Sequence, residues 1–382
     1  MPTQRRQEAP SEPAQAEPKT TGRLESLDIC RGVAILAVLF IHVSGHFLPA
    51  LHPIKSHTTP GSAWYALAVL NVDSLWAVPC FLMLSAFANA LSLSRTPDLT
   101  RYAKRRLQTA VVPYVIWSGV YMALNFALGT LHHLTLDHTA KLLLTGTAEF
   151  HLYFFVLVIE LYVLLPLLLP VFQRRPPLWA ALLGAVALQA IIYGLNKFVL
   201  PHKFQATILW DILPVALGLW LWSQMGRWPE LFRRGLWPAL AVTLAALALY
   251  TPLGVATSAP LAPSSLAVYH QLGKQFTAVY QGGEWVFTAG MSFLVLVGAG
   301  ALVRSRAAGA LSYLGAESLA IYVMHPLAII ALDKLGAKAL GVGAGIYVYY
   351  ALCLGLPLAA VRVWHLRRAP LGGLGRDSGA PK

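Results

Sequence analysis

The chain is built largely from apolar runs that are long enough to cross a lipid bilayer, and this feature limits its fold more than any other. Hydrophobic residues make up 57% of the 382 residues, and charged residues only 12%. Soluble proteins carry about 25% charged residues, and an apolar run of about 20 residues spans the hydrocarbon core as a helix. The sequence therefore predicts an all-α polytopic membrane bundle of about ten transmembrane helices. The ten runs lie near 29–50, 66–93, 107–129, 150–172, 177–196, 207–224, 235–251, 285–303, 308–331 and 340–363.

Short polar segments flank the apolar runs at both ends of the chain. Residues 1–22 are rich in proline, glutamine and glutamate and lack the apolar stretch of a signal peptide. We predict a disordered tail over 1–22, a transmembrane domain over 23–366 and a second disordered tail over 367–382. Two predicted outer loops, 130–149 and 252–284, are longer than a turn and hold histidines and aromatic residues that are candidates to line an external entrance.

Basic residues are distributed unequally between the two sides of the membrane that ten spans would create. An even number of spans puts both termini on one side, and 22 of the 29 lysines and arginines, including every arginine, fall on that side. Cytoplasmic loops of membrane proteins carry the excess of lysine and arginine. Both termini are therefore predicted to be cytoplasmic. The net charge of +13 is explained by this excess of basic residues on the cytoplasmic side, and it does not indicate a nucleic-acid partner.

The first apolar run contains ionisable residues, which are unfavourable inside a bilayer and therefore indicate function. Arg31 and His42 are eleven residues apart, so on a helix they share nearly one face and lie roughly 16 Å apart along the axis. This spacing puts a guanidinium near the cytoplasmic headgroups and an imidazole near mid-membrane. His42 is the candidate general base, because a neutral imidazole can accept a proton from a hydroxyl near pH 7. His46 shares the face, either as the base itself or as a group that orients it.

Structural alternatives exist for these basic residues. His42 could hydrogen-bond a neighbouring helix, and Arg31 could be an interfacial anchor that is paired with Asp28 three residues earlier. The functional interpretation of Arg31 is a contact with phosphate groups, to which a guanidinium is well suited. A basic cluster before the third run is either a topogenic signal or a phosphate-binding patch, and the two are compatible. It contains Arg101, Lys104, Arg105 and Arg106.

Three further ionisable side chains in the runs are candidates for substrate contact. His151 begins the fourth run at the outer face, and Glu160 should lie roughly 13 Å deeper. A carboxyl at that depth is protonated, paired or lining a polar cavity. His325 lies in the outer half of the ninth run, where it could face His42 across the bundle. The cysteines, at unrelated spacings in or beside apolar runs, indicate small core residues and no metal site or disulfide framework: Cys30, Cys80 and Cys353.

The opening segment LESLDICRGVAILAVLFIH closely resembles the first helix of the acyltransferase-3 family of integral membrane acyltransferases. That family is marked by Arg or Lys, ten residues and His, which are here Arg31 and His42. Five further segments resemble the family in the same order, so that the resemblance covers roughly residues 24–363. These segments are VPCFLMLSAF, KRRLQTAVVPYVIW, HLYFFVLVIELYVLLP, LPVALGLWLW and LGAESLAIYVMHP.

Two positions depart from the family pattern. Ser85, Ala86 and Phe87 stand where the family often has Ser-Gly-Phe. The family also often has Arg, two residues and Arg before the third helix. Arg106 matches the first of these arginines, and Thr109 stands at the second. Arg101 and Arg105 are candidates to substitute for the missing arginine on the coenzyme A side.

The resemblance implies transfer of an acyl group, usually acetyl from acetyl-CoA, to a hydroxyl of a carbohydrate at the bacterial cytoplasmic membrane. It implies catalytic roles for His42 and its basic partner Arg31. Acetyl-CoA would then arrive at the arginine-rich cytoplasmic face and contact Arg31, Arg101, Arg105 and Arg106. The acceptor would enter from outside and contact His46, His151, Glu160 and His325. The expected partners are thus membrane lipid and an outer-face carbohydrate, and whether the protein is a homo-oligomer stays open.

Two other classes of function compete with this interpretation. A transporter or flippase that exports a polysaccharide or a lipid-linked intermediate would also place ionisable groups within its spans, as proton relays. Consumption of acetyl-CoA by the purified protein would separate the enzyme from the transporter. A structural or assembly subunit is the third class, and it predicts that no intramembrane histidine matters.

Overall fold

A computed structural model describes residues 21–51, 63–95, 97–199, 207–258 and 273–368. These residues form helices and no strand, which confirms the all-α prediction. The α-helices are α1 (Thr21–Leu51), α2 (Ala63–Val72), α3 (Ala77–Arg95), α4 (Leu99–Arg106), α5 (Val112–Ala127), α6 (Leu136–Thr145), α7 (Tyr153–Gln173), α8 (Leu178–Gly194), α9 (Ile212–Ser223), α10 (Trp228–Ser258), α11 (Gly273–Leu302), α12 (Ala308–Ala316), α13 (Ser318–Lys334) and α14 (Gly341–Arg368). Short π and 3-10 segments are Leu107–Val111, Leu195–Val199, Ile208–Asp211, Met225–Arg227 and Ala337–Leu340.

The protein is a multi-pass membrane protein. Over the described ranges, eight helical segments are long and apolar enough to cross a bilayer, and the bent pair α12–α13 would make a ninth. Helix α9 is apolar but shorter, and it coincides with the predicted run 207–224. Every predicted run thus corresponds to an apolar helix or pair of helices. A total of ten spans and the cytoplasmic placement of both termini stay predictions.

Two of the predicted continuous runs are broken in the structure. The second run is interrupted by a turn over 73–76, and the ninth bends by 74° at Glu317 between α12 and α13. At the first break the hydroxyl of Thr251 donates a hydrogen bond to Asp73 (2.5 Å), and Pro79 follows within the first turn of α3, where proline is tolerated. Both breaks lie within apolar sequence, so hydropathy alone does not reveal them.

The two long outer loops are also more helical than predicted. Loop 130–149 contains α6, whose first turn is capped by Thr135, which accepts a hydrogen bond from the backbone N–H of His138 (3.3 Å). Gly146 ends this helix in the left-handed conformation (φ 70°). Of the predicted loop 252–284, α10 takes the beginning and α11 the end, and residues 259–272 lie outside the described part of the chain.

Helix α1 lies at the centre of the bundle, in contact with α2, α3, α11, α12, α13 and α14. Its closest neighbour is α12, because each helix presents a glycine to the backbone of the other. A Cβ atom at Gly32 would overlap the carbonyl of Leu311, and a Cβ atom at Gly315 would overlap the carbonyl of Asp28. Small residues of this kind let two membrane helices approach closely. The glycine pair therefore sets the position of the helix that carries Arg31.

The predicted tails fall almost entirely outside the described residues. Positions 21–22 and 367–368 are the exceptions, and both pairs are helical rather than tail. The domain boundaries proposed from the sequence otherwise stay predictions. The three cysteines are buried, as predicted, and the sulfur atoms of Cys30 and Cys80 lie 3.6 Å apart between α1 and α3.

Candidate active site

Three histidines from three parts of the chain meet inside the bundle, and we name them the histidine cluster: His42 of α1, His151 just before α7 and His325 of α13. The rings of His42 and His325 stack, with centroids 5.1 Å apart and an interplanar angle of 20°. His151 meets the ring of His325 edge-on at 5.5 Å. His151 and His325 are fully buried, whereas His42 is partly exposed. The prediction that His325 faces His42 across the bundle is confirmed.

Aromatic side chains enclose the histidine cluster. Phe150 lies against the ring of His42 at 4.8 Å, and Tyr121 and Tyr322 contact the ring of His151 at 5.1 Å and 5.3 Å. The hydroxyl of Tyr322 donates to the backbone carbonyl of His151, and that of Tyr121 donates to the carbonyl of Val323 (2.7 Å). These aromatic residues could not be predicted from the sequence, because an aromatic side chain in an apolar run is usually an ordinary core residue.

A compact turn positions His151. Gly146 ends α6, and a Cβ atom there would overlap the backbone of Tyr153 at the start of α7. The side-chain amide of Asn125 donates to the carboxylate of Glu149 (3.1 Å) and to the carbonyl of Ala148 (3.3 Å). The chain between α6 and α7 is thereby held against α5, and this arrangement directs His151 into the bundle.

Over the described ranges, several nitrogen atoms of the histidine cluster lack a hydrogen-bond partner. Nδ1 of His325 lies 3.2 Å from the carbonyl of Ile321 in its own helix. Nε2 of His325 and both ring nitrogens of His151 are buried and make no hydrogen bond of good geometry within the described residues. Buried polar atoms are normally hydrogen-bonded, so such a group of exceptions needs an explanation.

A cavity of about 170 Å³ extends from Arg31 to the edge of the histidine cluster. Its polar lining comes from Arg31, Ser85, Thr109 and Ser318, and its aromatic lining includes Phe154 and Tyr322. Tyr322 also contacts the rings of His151 and His325, at 5.3 Å and 5.9 Å. Tyr322 therefore belongs both to the cavity wall and to the surroundings of the cluster, and it connects the two.

Arg31 takes part in both of the arrangements that the sequence suggested for it. Its Nη1 atom lies 2.6 Å from the carboxylate of Asp28, which confirms the predicted ion pair. The same side chain lines the cavity and is 29% exposed. The ion pair orients the guanidinium without removing it from the cavity, so an anionic ligand can still reach it.

The other three predicted coenzyme-contacting arginines do not form one group. Arg106 lies between the rings of Tyr102 and Tyr162, with its guanidinium carbon 5.1 Å and 5.2 Å from their centroids, and Tyr162 lines the cavity. Arg101 and Arg105 lie on the exposed face of α4, and Arg101 is 3.8 Å from Asp98. Arg106 thus borders the cavity with Arg31, whereas Arg101 and Arg105 face away from it.

His46 lies in a different group of side chains from His42, although both lie on α1. Its Nε2 atom is 2.9 Å from the carboxylate of Asp333, to which the hydroxyl of Tyr349 also donates (2.7 Å). The ring of His46 stacks on that of Tyr349 at 5.4 Å, and Lys338 lies 3.4 Å from Asp333. Helical periodicity predicts the face of α1 on which His46 lies. It does not predict the partners of His46, which come from α13 and α14. Its substrate-binding role stays a prediction.

Glu160 has backbone and hydroxyl partners. Its Oε2 atom accepts hydrogen bonds from the N–H of Ile208 (2.6 Å) and from the hydroxyl of Thr207 (3.0 Å). The carboxylate therefore holds the start of the short 3-10 helix that precedes α9, as an acidic group at a helix N-terminus does. This is the paired alternative that the sequence left open for this carboxyl, and contact with substrate stays a prediction.

The arrangement suits proton transfer beside a site for an anion. His42 is the partly exposed member of the histidine cluster, and its ring contacts His325 and Phe150. If His42 accepts a proton, the resulting imidazolium lies against aromatic rings that attract a cation. Among the described residues, no group of three or more His, Cys, Asp or Glu side chains is arranged to hold a metal ion.

One protein-family model matches this chain over most of its length. A family model described as an acyltransferase domain matches residues 24–362, which is nearly the whole chain. Neither a curated protein nor a solved structure matches the chain.

Proposed function

This chain belongs to the acyltransferase-3 family and is an acyltransferase; from that premise we propose that it moves an acetyl group from cytoplasmic acetyl-CoA to a hydroxyl of a cell-envelope carbohydrate. We place it in the bacterial cytoplasmic membrane. The observation that carries the proposal is the cavity that Arg31 and Tyr322 both line, because Tyr322 also contacts two members of the histidine cluster. The cavity thus links a guanidinium, which can bind an anion, to the surroundings of the proposed base.

The donor would bind through its charged end. Coenzyme A carries phosphates, and guanidinium groups bind phosphate through strong, charge-assisted hydrogen bonds. Arg31 lines the cavity and Arg106 borders it, so these two side chains are the proposed phosphate contacts. The pantetheine arm would then extend along the cavity and bring the thioester towards His42.

In the proposed reaction His42 acts as general base. The acceptor hydroxyl attacks the thioester carbonyl, a C–O bond forms, and His42 takes the hydroxyl proton. The C–S bond then breaks, and the leaving thiolate takes the proton from His42 to give free coenzyme A. Between these two steps the imidazolium would lie between Phe150 and His325, whose rings are 4.8 Å and 5.1 Å away.

Purified protein in lipid nanodiscs tests this function directly. We expect release of coenzyme A thiol from acetyl-CoA that depends on an envelope glycan acceptor, and an acetyl ester on that acceptor by mass spectrometry. The control omits the acceptor and measures hydrolysis alone. Transfer of a glycan across the membrane without any acetylation would contradict the proposal and favour a transporter.

The substitution Arg31→Gln should raise the KM for acetyl-CoA by about tenfold, because a hydrogen bond to a charged group contributes roughly 1.5–3 kcal/mol. Steady-state kinetics at fixed acceptor concentration measure the change. Asp28→Asn is the matched control, because it removes the same 2.6 Å ion pair and leaves the guanidinium in the cavity. A KM that rises equally in both variants would mean that the ion pair, and not phosphate contact, explains the effect.

A further inference from the structure

A second cavity, of about 330 Å³, lies away from the proposed donor path. Trp210 and Asp211 line it from the 3-10 helix before α9, and Gln281, Glu284, Trp285 and Thr288 line it from α11. The predicted topology puts both of these segments near the outer face. None of the six residues has a part in the proposed reaction, so the cavity has no assigned role.

The cavity offers hydrogen-bond acceptors that are largely unused. The carboxylate of Glu284 accepts one hydrogen bond, from the side-chain amide of Gln281 (2.7 Å). Over the described ranges the carboxylate of Asp211 makes no hydrogen bond, and neither acid forms an ion pair with a lysine, arginine or histidine. A carboxylate can accept about four hydrogen bonds, so most of this capacity is open.

Two tryptophans in the wall of the cavity have indole N–H groups without a partner among the described residues. The indole nitrogens of Trp210 and Trp285 are buried, and the part of the chain that is described contains no partner for either of them. Buried tryptophans usually find a hydrogen-bond partner for this N–H. The ring of Tyr193 meets both indoles edge-on, at 5.9 Å and 6.1 Å, and helps to hold them in place. The nearby Lys197 donates to the hydroxyl of Tyr193 (2.8 Å).

We propose that this cavity binds a single sugar ring. A sugar can donate hydroxyl hydrogen bonds to the carboxylates of Asp211 and Glu284, and its ring can pack against the indoles of Trp210 and Trp285. An anion would be repelled by the carboxylates, and a small ammonium ion would fill only part of the cavity. Aromatic walls with a few polar groups, in a volume of this size, are typical of small-molecule sites. The inference rests on the proposed function, because it names the place where the carbohydrate acceptor is held.

Helix α7 connects the cavity with the histidine cluster. It begins at Tyr153, two positions after His151, and it contacts the 3-10 helix that carries Trp210 and Asp211. The carboxylate of Glu160 on α7 accepts a hydrogen bond from the backbone N–H of Ile208 in that 3-10 helix (2.6 Å). An acceptor with one ring in the cavity would extend along α7 towards His42.

Binding to protein in nanodiscs without acetyl-CoA tests the site. The probes are the methyl glycosides of glucose, galactose, mannose and N-acetylglucosamine, with choline and phosphate as comparison ligands, and the readout is tryptophan fluorescence. We expect at least one glycoside to bind saturably, and Asp211→Asn and Glu284→Gln each to weaken its binding by about tenfold. Asp73→Asn is the control, because this outer carboxylate bonds Thr251 and does not line the cavity. Trp285→Ala, which removes an aromatic part of the cavity wall, is the second variant if the acidic ones fail to fold.

Each outcome decides the inference. Binding of none of the four glycosides, binding of choline in their place, or unchanged affinity in the cavity variants overturns it. The result is separable from the proposed function, because His42→Ala protein should still bind the glycoside. Acetyl transfer with an unchanged acceptor KM in the cavity variants overturns the sugar site alone. Glycoside binding that the cavity variants weaken, in a wild-type protein that never transfers acetyl, overturns the proposed function alone.

Discussion

Replacing His42 with alanine is expected to lower acetyl transfer by about 10²–10⁴-fold, the usual contribution of a general base. The protein should still fold, because the contacts described for His42 are ring contacts with His325 and Phe150 and include no hydrogen bond. The measurement is acceptor-dependent thiol release by purified variant in nanodiscs. Thermal unfolding of the same preparation shows whether the variant is folded.

Two histidine variants make this test specific. His133→Ala changes an exposed histidine between α5 and α6 and should have no effect. His46→Gln removes the ring that bonds Asp333 and should lower transfer less than His42→Ala does. Full activity of His42→Ala, together with loss of activity in His46→Gln, would assign the base to the other histidine on α1.

The substitution Gly315→Ala is expected to destabilise the protein by about 1–3 kcal/mol, the usual effect of forcing extra volume into a packed interface. The added Cβ would overlap the backbone carbonyl of Asp28, so α1 and α12 must separate. Thermal unfolding in nanodiscs measures the change. Because Arg31 is three residues from Asp28 on α1, the same variant should also have a raised KM for acetyl-CoA.

Gly309→Ala is the matched control in the same helix, since a Cβ there meets no atom within 4 Å. Alanine is favoured over glycine by roughly 0.5–1 kcal/mol within a helix, so this variant should be unchanged or slightly more stable. The two substitutions are therefore expected to have opposite signs. Equal unfolding temperatures of the Gly315→Ala and Gly309→Ala variants would show that α1 and α12 are not in close backbone contact at Gly315.

The axial arrangement of the site could be predicted from the sequence. The eleven-residue spacing of Arg31 and His42 gives one helix face because a helix has a fixed period, and no other element needs to be known. The prediction for His325 combined the same periodicity with the topology, and the stacked rings confirm it. Helical periodicity could not predict the partner of His46, because the position of His46 on α1 gives no information about Asp333 on α13.

Residues that differ little from ordinary core positions were not predictable. Tyr322 and Phe150 lie in apolar sequence like many other aromatic residues, and only the tertiary packing of α13 and of the segment before α7 places them beside the histidines. The break at 73–76 and the bend at Glu317 could not be predicted because hydropathy averages over a window of residues and does not register a local change in helix direction.

The membrane environment, the all-α class, and the pairing of a cation with an imidazole on one helix could all be predicted from the sequence. These follow from composition and from the period of a helix, which are local properties of the chain. Only the folded protein shows which histidine joins His151 and His325, which arginines border the cavity, and which carboxylates stay unpaired. Such properties depend on contacts between segments far apart in sequence, and these contacts exist only once the helices have packed.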